Sequence, residues 1–186
     1  MWFLSPDCEK ESQMADGTFA LLLAVAGLTD MAINHCGTEA GCLGRAGVDP
    51  RLAFSAGQVV YQEQGIGTEF YVRRDLGYNR GPFGFTFGLS ATDQGSLWAG
   101  FGQTYRVTPN DSRLLVELHA MAGLYRAGSG VDLGGPIEFR SGIEVGYESA
   151  DGWRFGLSYD HRSNAGLYES NLGLETLQIR VSVPTR

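Results

Sequence analysis

Long hydrophobic runs are missing from this chain of 186 residues. No stretch of about 18 consecutive apolar residues occurs, as a membrane-spanning helix would require. The mean hydropathy of -0.12 likewise excludes a multi-helix membrane protein. A net charge of -7 argues against nucleic acid as a partner. The sequence shows neither a metal-ligating cluster nor a glycine-rich phosphate loop, so we expect no metal and no cofactor.

Alternation of apolar and polar residues takes the place of long runs. Side chains on a strand point to opposite faces in turn, so such alternation predicts strands with one apolar and one polar face. Gly, Asp, Asn and Ser turns divide the chain after Arg51 into about eight alternating segments. The segments are Leu52–Tyr61, Thr68–Leu76, Phe83–Thr92, Leu97–Val107, Arg113–Arg126, Ile137–Glu148, Trp153–Ser163 and Leu174–Val183.

The polar faces of these segments carry many ionisable groups, which the dry core of a soluble barrel would not tolerate. They are Glu117, His119, Glu138, Arg140, Glu144, Arg154 and Arg180. A small transmembrane barrel has a polar interior that ion pairs can cross-link, and its closure leaves no free strand edge in lipid. The fold class predicted is therefore all-β, an eight-stranded antiparallel transmembrane β-barrel over residues 51–186. Arg73 and Arg74 are adjacent, so one of the two must point outward.

The first 50 residues differ from the rest. Phe19–Leu28 is a short apolar run, and Ala24-Val25-Ala26 has the small-x-small pattern of a signal-peptidase site. We expect residues 1–26 to be a signal peptide, with Met14 as an alternative start, and residues 27–50 to form a periplasmic segment. The alternative is a short packing helix at the N-terminus.

The cysteines leave two alternatives open. Cys36 and Cys42 would form a small disulfide loop in the oxidising periplasm, or they would stay as two unpaired thiols. Cys8 would be removed with the leader.

A histidine, a hydroxyl and a carboxylate stand on the last two segments. His161 and Ser163 share the odd, apolar face of the seventh segment with Leu157, and Glu175 begins the same face of the eighth. These are the three parts of an activated serine nucleophile. In a membrane barrel the apolar face is the lipid-facing exterior, so the pattern predicts a hydrolase that acts on a lipid. His119, by contrast, is expected to be an interior histidine.

The height of the site in the membrane follows from counting segments. With the N-terminus in the periplasm, the seventh segment runs outward and the eighth returns. The connection 164–173 is then extracellular. His161, Ser163 and Glu175 are therefore predicted in the outer leaflet of the outer membrane.

The string His161-x-Ser163-Asn164-Ala165, followed by Asn171-x-Gly173-x-Glu175, resembles the active-site signature of the outer-membrane lipid A 3-O-deacylase family. That family has an eight-stranded barrel. The resemblance implies a lipid A 3-O-deacylase, an esterase that removes the acyl chain at position 3 of lipid A. It further implies that Ser163 is the nucleophile, His161 the general base and Glu175 the group that orients the histidine. Asn164 and backbone N–H groups around Ala165 and Gly166 would line the oxyanion hole, and Asn171 would support the site.

Two other functions remain open at this stage. One is an outer-membrane phospholipid esterase in the same barrel, because the sequence does not show the surface that selects the substrate. The other is a non-enzymatic barrel that binds partners through its loops, which the short connection Asp93–Gly95 disfavours. The expected partners are lipid A or lipopolysaccharide and outer-membrane lipids, not nucleic acid; a homodimer is left open.

Overall fold

The computed structural model describes residues 17–109 and 112–185. Predictions about Met14, Cys8 and the rest of the first sixteen residues therefore lie outside the described part. The helical elements are α1 (Thr18–Asp30) and a π-helical turn (Met31–His35). The strands are β1 (Arg45–Gly47), β2 (Arg51–Tyr61), β3 (Gln64–Arg80), β4 (Phe83–Thr92), β5 (Leu97–Val107), β6 (Leu114–Arg126), β7 (Ile137–Glu148), β8 (Arg154–Ser163) and β9 (Leu174–Pro184).

Strands β2 to β9 form the predicted eight-stranded antiparallel barrel. Each of these strands pairs with the next one along the chain, and β2 closes the barrel by pairing with β9. Strand β1 pairs with the last three residues of β3. We call this end of the barrel periplasmic and the opposite end extracellular, as the strand count predicts. The closed sheet satisfies the backbone hydrogen bonds without water, which a lipid-embedded sheet requires.

The start of β3 differs from the sequence-based expectation. The alternation predicts a strand from Thr68, but β3 begins at Gln64. The turn lies at Gln62 and Glu63, which both have positive φ (47° and 62°). A two-residue hairpin turn of this kind matches the twist of the flanking strands. Gly65 is part of β3, and glycine fits there because a Cβ would lie only 2.0 Å from the Gln58 side-chain nitrogen.

The two faces of the barrel have opposite chemistry. Large apolar side chains cover the exterior; examples are Phe70, Leu89, Leu124, Leu157 and Ile179, which are all more than half exposed. Of the seven ionisable groups predicted on the inner face, six are buried there; Arg154 lies at the periplasmic end and pairs with Glu148. Arg73 points inward and is 3% exposed, whereas Arg74 is only partly buried and donates to Thr185.

A charged network crosses the lumen at mid-height. The Glu69 carboxylate accepts two hydrogen bonds from Arg140, at 3.1 and 2.9 Å, and others from Arg162 and Gln178. Asp160 accepts from the other side of the Arg140 guanidinium at 2.9 Å. Lower in the barrel, Arg180 pairs with Glu144 at 2.6 Å. These bonds tie opposite walls together.

An apolar cluster lies above this network at the extracellular end. Its buried members are Val59, Tyr71, Trp98, Met121, Tyr125, Leu133 and Leu174. Glycines on the inner wall leave room for the Trp98 ring, because a Cβ on Gly100 would lie 2.4 Å from that ring. Two cavities, of about 460 and 200 Å³, lie at the periplasmic end.

Helix α1 lies against the outer wall of the barrel. Leu23 packs with Phe83 and Tyr105, and the Phe19 ring lies 5.9 Å from that of Tyr159. With the π-helical turn it forms a helical segment, Thr18–His35, that is long and apolar enough to cross a membrane. The sequence analysis ended the apolar run at Leu28, which makes it too short to span a membrane. The helix continues beyond Leu28 to Asp30, and the π-helical turn follows it. Cys36 and Cys42 form a disulfide, which decides between the two alternatives left open.

Candidate active site

The hairpin of β8 and β9 brings His161 and Glu175 together. The two residues are directly opposite each other in the antiparallel register. The His161 Nδ1 lies 3.3 Å from a carboxylate oxygen of Glu175. A carboxylate at this nitrogen fixes the imidazole tautomer and its orientation, so proton transfer to and from a substrate would use Nε2.

Ser163 follows His161 on the same face of β8. Both side chains lie on the exterior side of the wall, in line with the exposed Phe155 and Leu157. They are nevertheless only 5% exposed each, so neighbouring groups shield both side chains. One of these neighbours is Gly173, where a Cβ would lie 2.7 Å from Cε1 of His161. Glycine at 173 therefore lets the β8–β9 loop (residues 164–173) approach the histidine.

Asn164 directly follows β8 and is fully buried. Its Nδ2 donates to the carbonyl oxygens of Leu133, at 2.7 Å, and Ser170, at 2.6 Å. Its Oδ1 accepts the N–H of Gly166 at 2.9 Å. Both amide hydrogens are thus engaged with carbonyl groups, so this side chain links Leu133 to the loop that follows β8.

The backbone after Asn164 turns sharply. Ala165 has φ 54° and Gly166 φ 78°, both in the left-handed region. The N–H of Asn164 donates to Oδ1 of Asn171 at 3.1 Å, and that of Leu167 donates to the Asn164 carbonyl at 3.1 Å. Within the described ranges, the N–H of Ala165 is the one in this turn with no assigned acceptor, and Ala165 is exposed. The turn therefore presents one exposed backbone donor two residues after Ser163.

Comparison with known proteins identifies the family. A protein-family model described as "Lipid A 3-O-deacylase (PagL)" matches residues 44–184 of the chain. The chain belongs to the lipid A 3-O-deacylase family. Members are lipid A ester hydrolases of the outer membrane. No curated protein matches the chain at a significant level.

Solved structures agree on the barrel fold of this deacylase-family chain. The crystal structure of the outer-membrane enzyme PagL superposes with a TM-score of 0.58 at 19% identity, covering 73% of this chain and 99% of that one. A de novo designed transmembrane β-barrel gives 0.56 at 8% identity, with coverage of 75% and 98%. Neisserial surface protein A (NspA) gives 0.52 at 16% identity, with coverage of 76% and 99%. At these identities the likeness shows the fold alone.

Ser141 is a second hydroxyl near the histidine of the deacylase-family site, and the sequence reasoning missed it. It lies on β7 directly opposite His161 in the register, and it is 6% exposed. The available signal was its odd position between Phe139 and Ile143, which places a small polar residue on the lipid-facing side. Its strand precedes the motif, so the motif alone did not include it.

The remaining candidates do not join the site. His119 lies inside the barrel, where its Nε2 is 3.4 Å from Asp160. In the part of the chain that the structure describes, no group of three or more His, Cys, Asp or Glu residues is arranged to hold a metal ion.

Proposed function

We propose that this chain hydrolyses the ester-linked acyl chain at position 3 of lipid A, with Ser163 as nucleophile, His161 as general base and Glu175 as its partner. The observation that carries the proposal is the His161–Glu175 pair on the exterior face of the barrel, two residues from Ser163. Family membership supports the substrate class.

The chemistry follows from the roles of these groups. His161 Nε2 takes the proton of Ser163 as its Oγ attacks the acyl carbonyl. The tetrahedral intermediate then collapses, and His161 returns the proton to the sugar oxygen that leaves. A water molecule, activated by the same imidazole, hydrolyses the acyl-enzyme and releases the fatty acid. Glu175 stabilises the imidazolium formed in each half-reaction.

The N–H of Ala165 is the proposed oxyanion donor. The N–H groups of Asn164, Gly166 and Leu167 already have acceptors, as described above. Asn164 and Asn171 contribute by holding the turn, and Gly166 by accepting its left-handed conformation at no steric cost. A fixed N–H aimed at developing negative charge is among the larger contributions in acyl transfer.

The substrate is proposed to enter sideways from the outer leaflet. The lumen is filled by the charged network and by the apolar cluster that contains Trp98 and Leu133. His161, Ser163 and Glu175 lie on the exterior side of the barrel wall. An acyl chain that remains in the membrane would therefore lie along the exterior of β8 and β9.

The test compares two serines beside one histidine. Ser163→Ala should abolish removal of the 3-linked acyl chain, whereas Ser141→Ala should retain most of the activity, and both should fold. Mass spectrometry of lipid A from cells expressing each variant measures the product, and a heat-modifiable band on a gel measures folding. Deacylation by folded Ser163→Ala would contradict the serine assignment. Release of fatty acid from phospholipid with intact lipid A would favour the phospholipid esterase instead.

Two further expectations belong to this proposal. Residues 1–26 are proposed to be removed on export, because Ala24-Val25-Ala26 has the pattern of a signal-peptidase site. A homodimer stays a prediction for chemical cross-linking of the purified barrel.

A further inference from the structure

We infer that residues 133–135 of the β6–β7 loop (residues 127–136) position the oxyanion donor in the turn that follows Ser163. The inference rests on the proposed function and adds residues of a different loop to it. Leu133, Gly134 and Gly135 touch none of the reacting groups in this account, so they are positioning residues.

The loop is anchored inside the barrel by Leu133. Its side chain is completely buried in the apolar cluster at the extracellular end, with Leu174 and Trp98 as members of the same cluster. Its carbonyl oxygen accepts one amide hydrogen of Asn164 at 2.7 Å. The buried Leu133 side chain thus fixes its own carbonyl oxygen, and that oxygen orients the side chain of Asn164, the residue after Ser163.

Two consecutive glycines let the β6–β7 loop come into close contact with the β8–β9 loop. Gly134 has φ 98°, and a Cβ there would lie 2.1 Å from the carbonyl oxygen of Ser170. That same oxygen accepts the other amide hydrogen of Asn164. A Cβ on Gly135 would lie 2.0 Å from the Tyr168 ring, whose hydroxyl accepts the N–H of Ile137 at 3.3 Å.

These contacts define one chain of constraints. The carbonyls of Leu133 and Ser170 set the Asn164 amide, and the Oδ1 of Asn164 holds the N–H of Gly166. Holding Asn164 and Gly166 leaves Ala165 in its left-handed conformation with its N–H free for the substrate. Non-glycine residues rarely adopt this conformation unless their surroundings enforce it. Residues 133–135 of the β6–β7 loop hold Ala165 in this conformation through Asn164.

The experiment compares two glycine-to-alanine changes in the same loop. Gly134→Ala adds a methyl group against the Ser170 backbone of the β8–β9 loop. Gly128→Ala is the matched control, because Gly128 also has positive φ (62°) and its Cβ would lie 2.5 Å from a backbone oxygen, that of Gly95 in the β4–β5 connection. Both variants carry similar strain, but only the first directs it at the site.

We expect Gly134→Ala to lower kcat by about 10-fold to 100-fold with KM within about twofold, since a misplaced oxyanion donor weakens transition-state stabilisation and not binding. Gly128→Ala should keep the wild-type kcat while the melting temperature falls by a similar amount in both variants. Equal loss of kcat in the two variants, or no loss in Gly134→Ala, would overturn the inference.

A rescue experiment tests the Gly135 contact. Gly135→Ala should lower kcat by pushing the Tyr168 ring and the loop that carries it. With Tyr168→Ala in the same chain, no ring remains to be displaced, so the double variant should match Tyr168→Ala alone. Additive losses would contradict the proposed contact.

These outcomes are separable from failure of the proposed function. If wild-type protein releases no fatty acid from lipid A, or if folded Ser163→Ala does so, the function is wrong. If wild-type protein is active and Ser163→Ala is not, only the loop variants decide the role of Gly134 and Gly135.

Discussion

At the residue scale, Glu175 is the least shielded member of the proposed triad, with 27% of its side chain exposed. Its carboxylate contacts His161 across the hairpin, at 3.3 Å from Nδ1. We predict that Glu175→Gln reduces kcat strongly but less completely than Ser163→Ala. The amide still holds the ring, but it stabilises the imidazolium poorly.

Steady-state kinetics on lipid A in detergent would measure this effect. Glu169→Gln is a suitable control, because Glu169 is an exposed carboxylate in the β8–β9 loop, which precedes β9. A Glu175→Gln variant with the wild-type kcat would show that the carboxylate has a structural role only.

The sequence predicts which residues meet at the site but not how the loops support it. Strand alternation places His161, Ser163 and Glu175 on one face, and the hairpin brings Glu175 opposite His161. The hydrogen bond from Asn164 to Leu133 joins residues 31 positions apart, and no local pattern indicates that contact. The oxyanion role expected for the Asn164 side chain came from resemblance, and the two engaged amide hydrogens could be seen only in three dimensions.

At the element scale, the β8–β9 hairpin has an exterior face that should select the acyl chain and an interior face that should set stability. Tyr159 and Leu177 lie opposite each other on the exterior, next to the site. We predict that Leu177→Trp or Tyr159→Ala changes the preference for acyl-chain length with little effect on melting. Glu144→Asp, which lengthens the ion pair with Arg180 inside the barrel, should lower the melting temperature and leave the preference unchanged.

Kinetics on lipid A species of different acyl length, paired with thermal unfolding on gels, would separate the two faces. Control of chain-length preference by Glu144 would mean that the acyl chain enters the lumen, and lateral access would be wrong.

Element boundaries follow the alternation closely where turns contain glycine and less closely elsewhere. β4 and β5 have the predicted bounds, Phe83–Thr92 and Leu97–Val107. β3 is longer at both ends because Gln62 and Glu63 make the turn and because β1 pairs with its far end. A tight turn without glycine gives no strong local signal.

At the scale of the whole molecule, the Glu69 carboxylate is the centre of the interior network. It is completely buried and binds Arg140, Arg162 and Gln178. Glu69→Gln would leave two buried guanidinium groups short of a counter-charge. Removal of one partner of a buried ion pair costs about 3–5 kcal/mol, so we predict a large loss of unfolding free energy.

Glu138→Gln is the contrasting variant. Glu138 is also fully buried, but neither of its carboxylate oxygens has a hydrogen-bond partner in the described residues. A neutral amide there removes a charge that is costly to bury, so we predict no loss of stability. Urea titration of the folded barrel measures both variants, and equal destabilisation would contradict this account of the lumen.

We expect the signal peptide to be cleaved after Ala26 during export. We predict that protein from the outer-membrane fraction begins at Gly27 and that Cys36 and Cys42 remain joined in it. Protein sequencing of the N-terminus and a thiol-labelling assay would measure these features. An intact N-terminus on soluble protein would contradict both the leader and the membrane location.

The position of His161 and Ser163 on the outer wall has a kinetic consequence. An enzyme that meets its substrate sideways within the bilayer responds to the amount of substrate per unit of membrane area, and not to its concentration in the surrounding water. Diluting a vesicle suspension with buffer should therefore leave the turnover per barrel unchanged. Adding inert lipid to the same vesicles should lower turnover in proportion to the fall in the mole fraction of lipid A.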